Sequence, residues 1–230
     1  MTACQSSPAI KSHEKITIPA QSRQLIQVTT PHWEAQEGTL QRYEKTDQTW
    51  HKVGKPIAII LGRNGLAWGR GLHTIPSDTQ NIKKEGDGKA PAGLFRLGHG
   101  FGYEALATDF PYSIYQRTDH CVDDSRSKWY NRIVDSTKVS KDYQSFEHMK
   151  LDQSIEYKYG ITVEHNPHQV PYGGSCIFMH VKHPSGKATS GCTAMQENEM
   201  AEVLGWLKSE ANPLLLQLPQ DEMNKRVRLE

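Results

Sequence analysis

The chain has 230 residues, 36% of them hydrophobic, and a formal net charge of +1. That length supports one domain with a sizeable core, and the near-neutral charge gives no electrostatic case for nucleic acid or an anionic membrane as partner. No apolar run approaches the roughly 20 residues of a membrane span, and no internal repeat, phosphate-binding glycine loop or dinucleotide fingerprint is present.

In chain order, residues 1–22 are polar, carry Pro8 and Pro19, and read as a flexible lead-in. Gln24 to Thr30 alternates like a strand. Thr39–Glu44 and Thr49–Val53 flank a polar turn and predict a β-hairpin. Pro56–Leu61 predicts a separate buried strand, followed by a cluster of Gly62, Gly65, Gly69 and Gly71, and Ala92–Leu97 predicts another strand. The stretch from Gly98 to Pro171 reads as a long irregular section, of the kind that forms the rim of a cleft. Ser175–Val181 follows a Gly-Gly turn signal and reads as a strand, with Ile177, Met179 and Val181 on one face and Phe178 and His180 on the other. Pro184, Ser185 and Gly186 then force a loop. Met200, Val203, Leu204 and Leu207 share one face of a helix; the capping-box spacing of Thr193 and Gln196 favours a start just after Cys192, with a start a few residues later as the alternative. Asn212–Pro219 predicts a strand that closes the sheet, and 221–230 a short tail. The expectation is a mainly β fold, with residues 23–220 forming one domain.

The chemistry concentrates at His180 to Met195. A cysteine is a useful nucleophile as thiolate, and an imidazolium beside it supplies that state. Gly191 before the cysteine permits close backbone approach, and a helix start after it would hold a thiolate or an oxyanion. This reading predicts a low-pKa thiol at Cys192, His180 as general base and then acid, and the N–H groups of Gly191 and Cys192 as oxyanion donors. A buried, inert cysteine is the alternative.

His180 followed by Thr189-Ser-Gly-Cys192 resembles the signature of the L,D-transpeptidase catalytic domain (YkuD-like) family. Glu85-Gly-Asp-Gly-Lys-Ala-Pro-Ala-Gly-Leu-Phe-Arg96 resembles that family's GDGKTPxGxF segment, and Cys121 to Asn131 resembles a segment of one bacterial branch; the likeness runs from about Arg23 to Leu218. It implies a β-sandwich or barrel-like fold with a few short helices and the cysteine loop at one edge. It also implies peptidoglycan stem peptides as partners, cut after the L-centre of the diamino acid at position three, with an amine or water as acceptor. No cofactor is expected, and a backbone carbonyl orients the histidine in the family. Two positions depart from the pattern: Ser190 stands where most members have histidine, and Ala194 where they have arginine or asparagine. Substrate and acceptor therefore stay open, as do a zinc module using His180, His183 and Cys192 and a non-catalytic peptidoglycan-binding domain.

Ser190, Thr189, Tyr172, Gly173, Asn166 and Asp124 are the candidate substrate-binding residues. Asp123 and Asn131 are possible shapers of the cleft, Asp87 and Lys89 read as turn chemistry, and His165 and His168 as surface loop. The four cysteines, Cys4, Cys121, Cys176 and Cys192, match no disulfide framework or metal spacing; a Cys121–Cys176 bridge requires an oxidising compartment and is not favoured by spacing. Met1-Thr-Ala-Cys4 resembles the end of a bacterial lipoprotein signal, which would place the chain in a periplasm or cell envelope with a lipid on Cys4 as its one membrane attachment; an unordered terminus without meaning is the alternative.

Overall fold

A computed structural model of the chain describes residues 14–152 and 154–229. Cys4 and the rest of residues 1–13 lie outside the described residues. The chain starts with β1 (Gln24–Thr30) and the hairpin of β2 (Glu37–Thr46) and β3 (Thr49–Ile60), followed by β4 (Leu66–Trp68) and the long β5 (Ala90–Gly102). Short strands follow: β6 (Tyr112–Ile114), β7 (Asp119–Val122), β8 (Ile133–Asp135) and β9 (Phe146–His148). The second half contains β10 (Tyr159–Val163), β11 (Phe178–Val181), β12 (Thr193–Met195), helix α1 (Glu197–Trp206), β13 (Leu214–Pro219) and helix α2 (Gln220–Arg226).

Eight strands close on themselves in the order β10-β11-β12-β3-β2-β1-β13-β5, with β5 pairing back onto β10. Closure leaves no unpaired edge in that ring, which is how an all-β domain avoids edge-to-edge association. The architecture is the mainly β barrel expected. β1 and β13 are buried on both faces: Leu25, Ile26 and Val28 of β1, Leu40 of β2, Leu94 of β5 and Leu215 and Leu216 of β13 are all buried in one cluster. Helix α1 adds Met200, Val203 and Leu204, with Leu207 just beyond it, the face the periodicity predicted.

The hairpin turns through Asp47 and Gln48, both at positive φ, the geometry that matches strand twist in a two-residue turn. Pro56–Leu61 is not a separate strand, however. Chain 49–60 is continuous, and the register shifts from Arg42↔Val53 to Leu40↔Ile57. The extra residues form a bulge at Gly54, with φ of 67°, where a Cβ would lie 2.4 Å from the Arg42 guanidinium. That bulge also gives Pro56 a place in the strand.

The section read as irregular contains six elements instead: the end of β5, β6, a three-stranded sheet in the order β8-β7-β9, and β10. The small sheet is too short to show alternation. It is held by aromatic packing, with His120 stacked on Phe146 at 3.9 Å and Tyr143 edge-on to both. Cys121 of β7 is bonded to Cys176, which ties this sheet to the barrel; the spacing argument had not favoured that bridge.

The segments flanking the barrel are packed as well. Ile16 is buried in the main cluster and its N–H bonds the Arg226 carbonyl, while the Arg226 guanidinium lies 5.2 Å from the Trp68 ring. Residues 221–230, read as a tail, contribute α2 with Met223 buried, followed by buried Val227. Among the described residues no helix is long and apolar enough to cross a membrane.

Candidate active site

Strands β11 and β12 lie side by side in parallel, with Met179 opposite Thr193 and His180 opposite Ala194. The predicted faces of β11 are those observed: Ile177, Met179 and Val181 enter the main core, while Phe178 joins a second cluster with Phe101, Met149 and Cys192. His180 and Cys192 line one cavity of about 400 Å³ together with Glu147, Glu156, Tyr157, Thr189 and Ser190. No hydrogen bond joins the two side chains among the described residues. His180 Nδ1 lies 2.8 Å from the Val181 carbonyl. A carbonyl only accepts, so Nδ1 carries the proton and Nε2 of the neutral ring is left as an acceptor.

Cys192 precedes a strand, not a helix. Thr193–Met195 is β12, and α1 starts at Glu197 with Gln196 as N-cap, its N–H bonded to the Glu199 carboxylate at 3.1 Å. The helix dipole therefore does not bear on the thiol. The thiol instead accepts the Phe178 N–H at 3.3 Å and lies 3.6 Å from the Cys176 carbonyl. Burial pushes it well above its ordinary value, and the nearby Glu147 charge adds to that; burial likewise pushes His180 down. An apolar surrounding penalises both ions of the expected thiolate–imidazolium pair. The resting pair is neutral, the reverse of the low-pKa thiol read from the motif.

The loop before the cysteine is fastened from within. Thr189 Oγ1 donates to the Cys192 carbonyl at 2.7 Å and accepts the Gly191 N–H at 3.1 Å, so that N–H is engaged and not free to hold an oxyanion. Gly191 has φ of 152°, and a Cβ on it would meet the Lys89 carbonyl at 2.9 Å. The two distant motifs thus touch. Asp87 organises its turn, accepting the Lys84 N–H at 2.8 Å, the Lys89 N–H at 2.9 Å and the buried Lys83 ammonium at 2.6 Å. Arg63 Nη1 donates to Ser190 Oγ at 3.0 Å.

Four expected substrate contacts lie elsewhere: Asn166, Asp124, Tyr172 and Gly173 line neither cavity at Cys192. Asn166 is fully buried, and its amide is spent on Val170 and Gly174. Asp124 accepts the N–H groups of Arg126 and Gln144, which hold its carboxyl low. Tyr172 presents its ring to solvent, and the Gly173 carbonyl accepts from Arg70 and from His165. His165 is not a surface residue; burial pushes it down to about 3. Asn131 latches these loops together, donating to the His165 carbonyl at 2.8 Å and accepting the Cys176 N–H at 3.0 Å.

Two groups carried no signal in the sequence. Glu85 accepts from the Tyr130 phenol and from Ser175 Oγ at 2.7 Å, beside the segment that carries Cys176 into β11. Glu147 of β9 borders Cys192 and accepts from the Tyr157 phenol; burial pushes its carboxyl up from 4.5 to about 7. Between those values the folded chain holds a proton that the unfolded chain has lost, so stability falls as pH rises through that window. The effect is at most about 3 kcal/mol. Glu147→Gln is expected to flatten this slope in thermal melts from pH 4.5 to 7.5 relative to the parent; parallel curves would remove Glu147 as its source. Among the described residues no group of three His, Cys, Asp or Glu side chains is placed to hold a metal ion, and His183 is engaged with Ser185 at 2.7 Å, so the zinc alternative finds no ligand set.

A barrel that carries a histidine on one strand and a cysteine at the start of its parallel neighbour can be compared with known proteins. The sequence model of the L,D-transpeptidase catalytic domain (YkuD) matches residues 33–213, and the chain belongs to that family. No curated protein matches the chain. A solved structure that aligns with it is that of the helical cell shape determining protein Pgp2 from Campylobacter jejuni, at 14% identity and a TM-score of 0.46, over 95% of this chain and 53% of that one. The chain thus spans about half the length of that protein.

Proposed function

We propose that this chain is a cysteine-dependent acyltransferase on peptidoglycan stem peptides, an L,D-transpeptidase or L,D-carboxypeptidase, with residues 23–220 as its catalytic unit. The observation that carries this reading is that His180 of β11 and Cys192, which immediately precedes the neighbouring β12, border one cavity. Because the resting pair is neutral, the thiol proton passes to His180 Nε2 only as the sulfur bonds to the substrate carbonyl carbon. The carbon–nitrogen bond then breaks, and the same proton leaves with the amine. A thioester remains on Cys192. An incoming amine or water gives its proton to His180, attacks the thioester and restores the thiol. The Nδ1 bond to Val181 holds the ring in the tautomer this sequence of transfers needs.

The Cys121–Cys176 disulfide supports an oxidising compartment, consistent with a bacterial periplasm or cell envelope. Muropeptides of defined stem length, incubated with the protein and followed by mass analysis, test the reading. A tetrapeptide stem is expected to lose its terminal residue, with a covalent acyl mass on Cys192 during turnover. Retention of peptide without adduct or product would leave only a binding domain.

A further inference from the structure

Glu147 is a buried carboxyl beside the nucleophile that neither the attack of sulfur nor proton transfer to His180 needs. It borders both cavities that meet at Cys192, the one of about 400 Å³ that holds His180 and a second of about 200 Å³. Among the described residues its side chain has one hydrogen-bond partner, the Tyr157 phenol, and no lysine or arginine is paired with it. Further acids stand around it. Glu156 lines the larger cavity, where it accepts from Ser154 Oγ at 2.7 Å, and Glu85 and Asp123 line the smaller. The cations of these walls are engaged elsewhere or face solvent. Lys83 pairs with Asp87 at 2.6 Å, Arg63 donates to Ser190 Oγ, and Lys187 is exposed. The wall beside the sulfur thus suits a cation that the chain does not itself supply.

Glu147 does nothing for the first half of the reaction. Its charge, added to burial, raises the thiol and so opposes loss of the sulfur proton. The second half has a need that it meets. An amine reaches the thioester as its ammonium, which has no lone pair. It must lose one proton before it attacks and another as it attacks, whereas water loses only one. His180 takes one proton, so a second base is required for amines alone. Burial, with the charges of Asp123, Glu85 and Glu156 adding to it, pushes Glu147 up to about 7. Such a carboxylate is a stronger base than an ordinary one and is still mostly ionised just above neutral pH.

We propose that Glu147 is a catalytic base of the second half of the acyl transfer: its carboxylate binds the ammonium of the acceptor in the larger cavity and takes its first proton, so that the acyl group passes to primary amines in preference to water. This rests on the acyl-transfer reading above. The ammonium gives a proton to Glu147 and becomes a neutral amine. Its nitrogen bonds to the thioester carbonyl carbon as its second proton passes to His180 Nε2. The carbon–sulfur bond breaks, the sulfur takes that proton from the imidazolium, and the Glu147 carboxyl releases its own to solvent. An amide and the thiol remain.

Two acceptors separate this role from a structural one. The side chain of Nα-acetyl-L-lysine amide has the ordinary lysine value of about 10.4, so only about one molecule in a thousand is free amine at pH 7.5. Hydroxylamine is uncharged there and needs no first base. The parent and Glu147→Gln are each loaded from a tetrapeptide stem, and amide, hydroxamate and hydrolysed peptide are measured by mass. All three arise from one acyl-enzyme, so the ratio of transfer to hydrolysis is independent of how fast that acyl-enzyme forms. In Glu147→Gln the ratio is expected to fall about 100-fold with the lysine amide, the lower range of general-base catalysis, and to stay within about threefold of the parent with hydroxylamine. Glu147→Asp, which keeps the base on a shorter stem, is expected to recover part of the loss. An unchanged ratio with the lysine amide overturns the assignment. So does a fall of equal size with both acceptors, which a misshapen cavity would give, and so does a parent that makes no amide with the lysine acceptor. In each of these results Cys192-dependent turnover leaves the acyl-transfer reading standing. Absence of acyl-enzyme and of every product from the parent defeats the two together.

Discussion

Cys192→Ala is expected to lower turnover of a tetrapeptide stem by at least about 10⁴-fold, the scale seen when a covalent nucleophile is removed, with the fold retained. The side chain is small and buried, in van der Waals surroundings of Phe101, Met149 and Phe178, so an alanine fits the space. The lost sulfur leaves the Phe178 N–H without its acceptor, which costs about 1–3 kcal/mol at a buried position. Activity and stability therefore separate: steady-state assay on one hand, denaturant unfolding on the other. A variant that still releases the terminal residue at more than a hundredth of the parent rate would remove Cys192 from the chemistry. The parent protein carries a companion signature. Because burial and Glu147 keep the thiol protonated, alkylation by iodoacetamide at pH 7 is expected to be slower than for an exposed cysteine.

The Cys121→Ala/Cys176→Ala pair is expected to destabilise the chain by about 4 kcal/mol, from loop-closure entropy over a separation of 55 residues. At this chain length that corresponds to a melting temperature lower by roughly 10 °C. The consequence extends to the site. Cys176 offers its carbonyl to the Cys192 thiol and its N–H to Asn131, and the tied sheet carries Glu147 against the cavity. The pair variant is expected to show raised KM along with the lower melting point. A shift under about 2 °C would mean that aromatic packing alone holds the small sheet.

Much of this scaffold could be read in advance where one element shows one period. The alternation of Ile177 to Val181, bounded by Gly173-Gly174 and Pro184, gave the correct faces of β11. Met200, Val203, Leu204 and Leu207 did the same for α1. The failures share a cause: the deciding groups come from elsewhere in the chain. Strands of three residues such as β8 and β9 show no alternation. Pairing of Cys121 with Cys176 depends on Asn131 and the small sheet bringing distant segments together. The protonation of Cys192 depends on its burial, in a cluster that includes Phe101 and Met149, and on Glu147, all remote in sequence, so a motif that suggests a thiolate was overruled by its surroundings. Of the two helix starts that the sequence offered, the later one holds, because Thr193 spends its hydroxyl on Gln217 at 2.8 Å instead of capping.

The parallel ladder between β11 and β12 carries one more implication. It sets the offset between imidazole and sulfur by main-chain bonding, whatever residues the intervening loop contains. That loop includes Gly186, where an added side chain would meet nothing within 4 Å. With Thr189 and Ser190 fastened beside the cysteine and Gly186 held at a φ of 71°, the tip from Pro184 to Lys187 is the part open to change in length during evolution, altering which molecules are admitted while the reacting atoms keep their spacing.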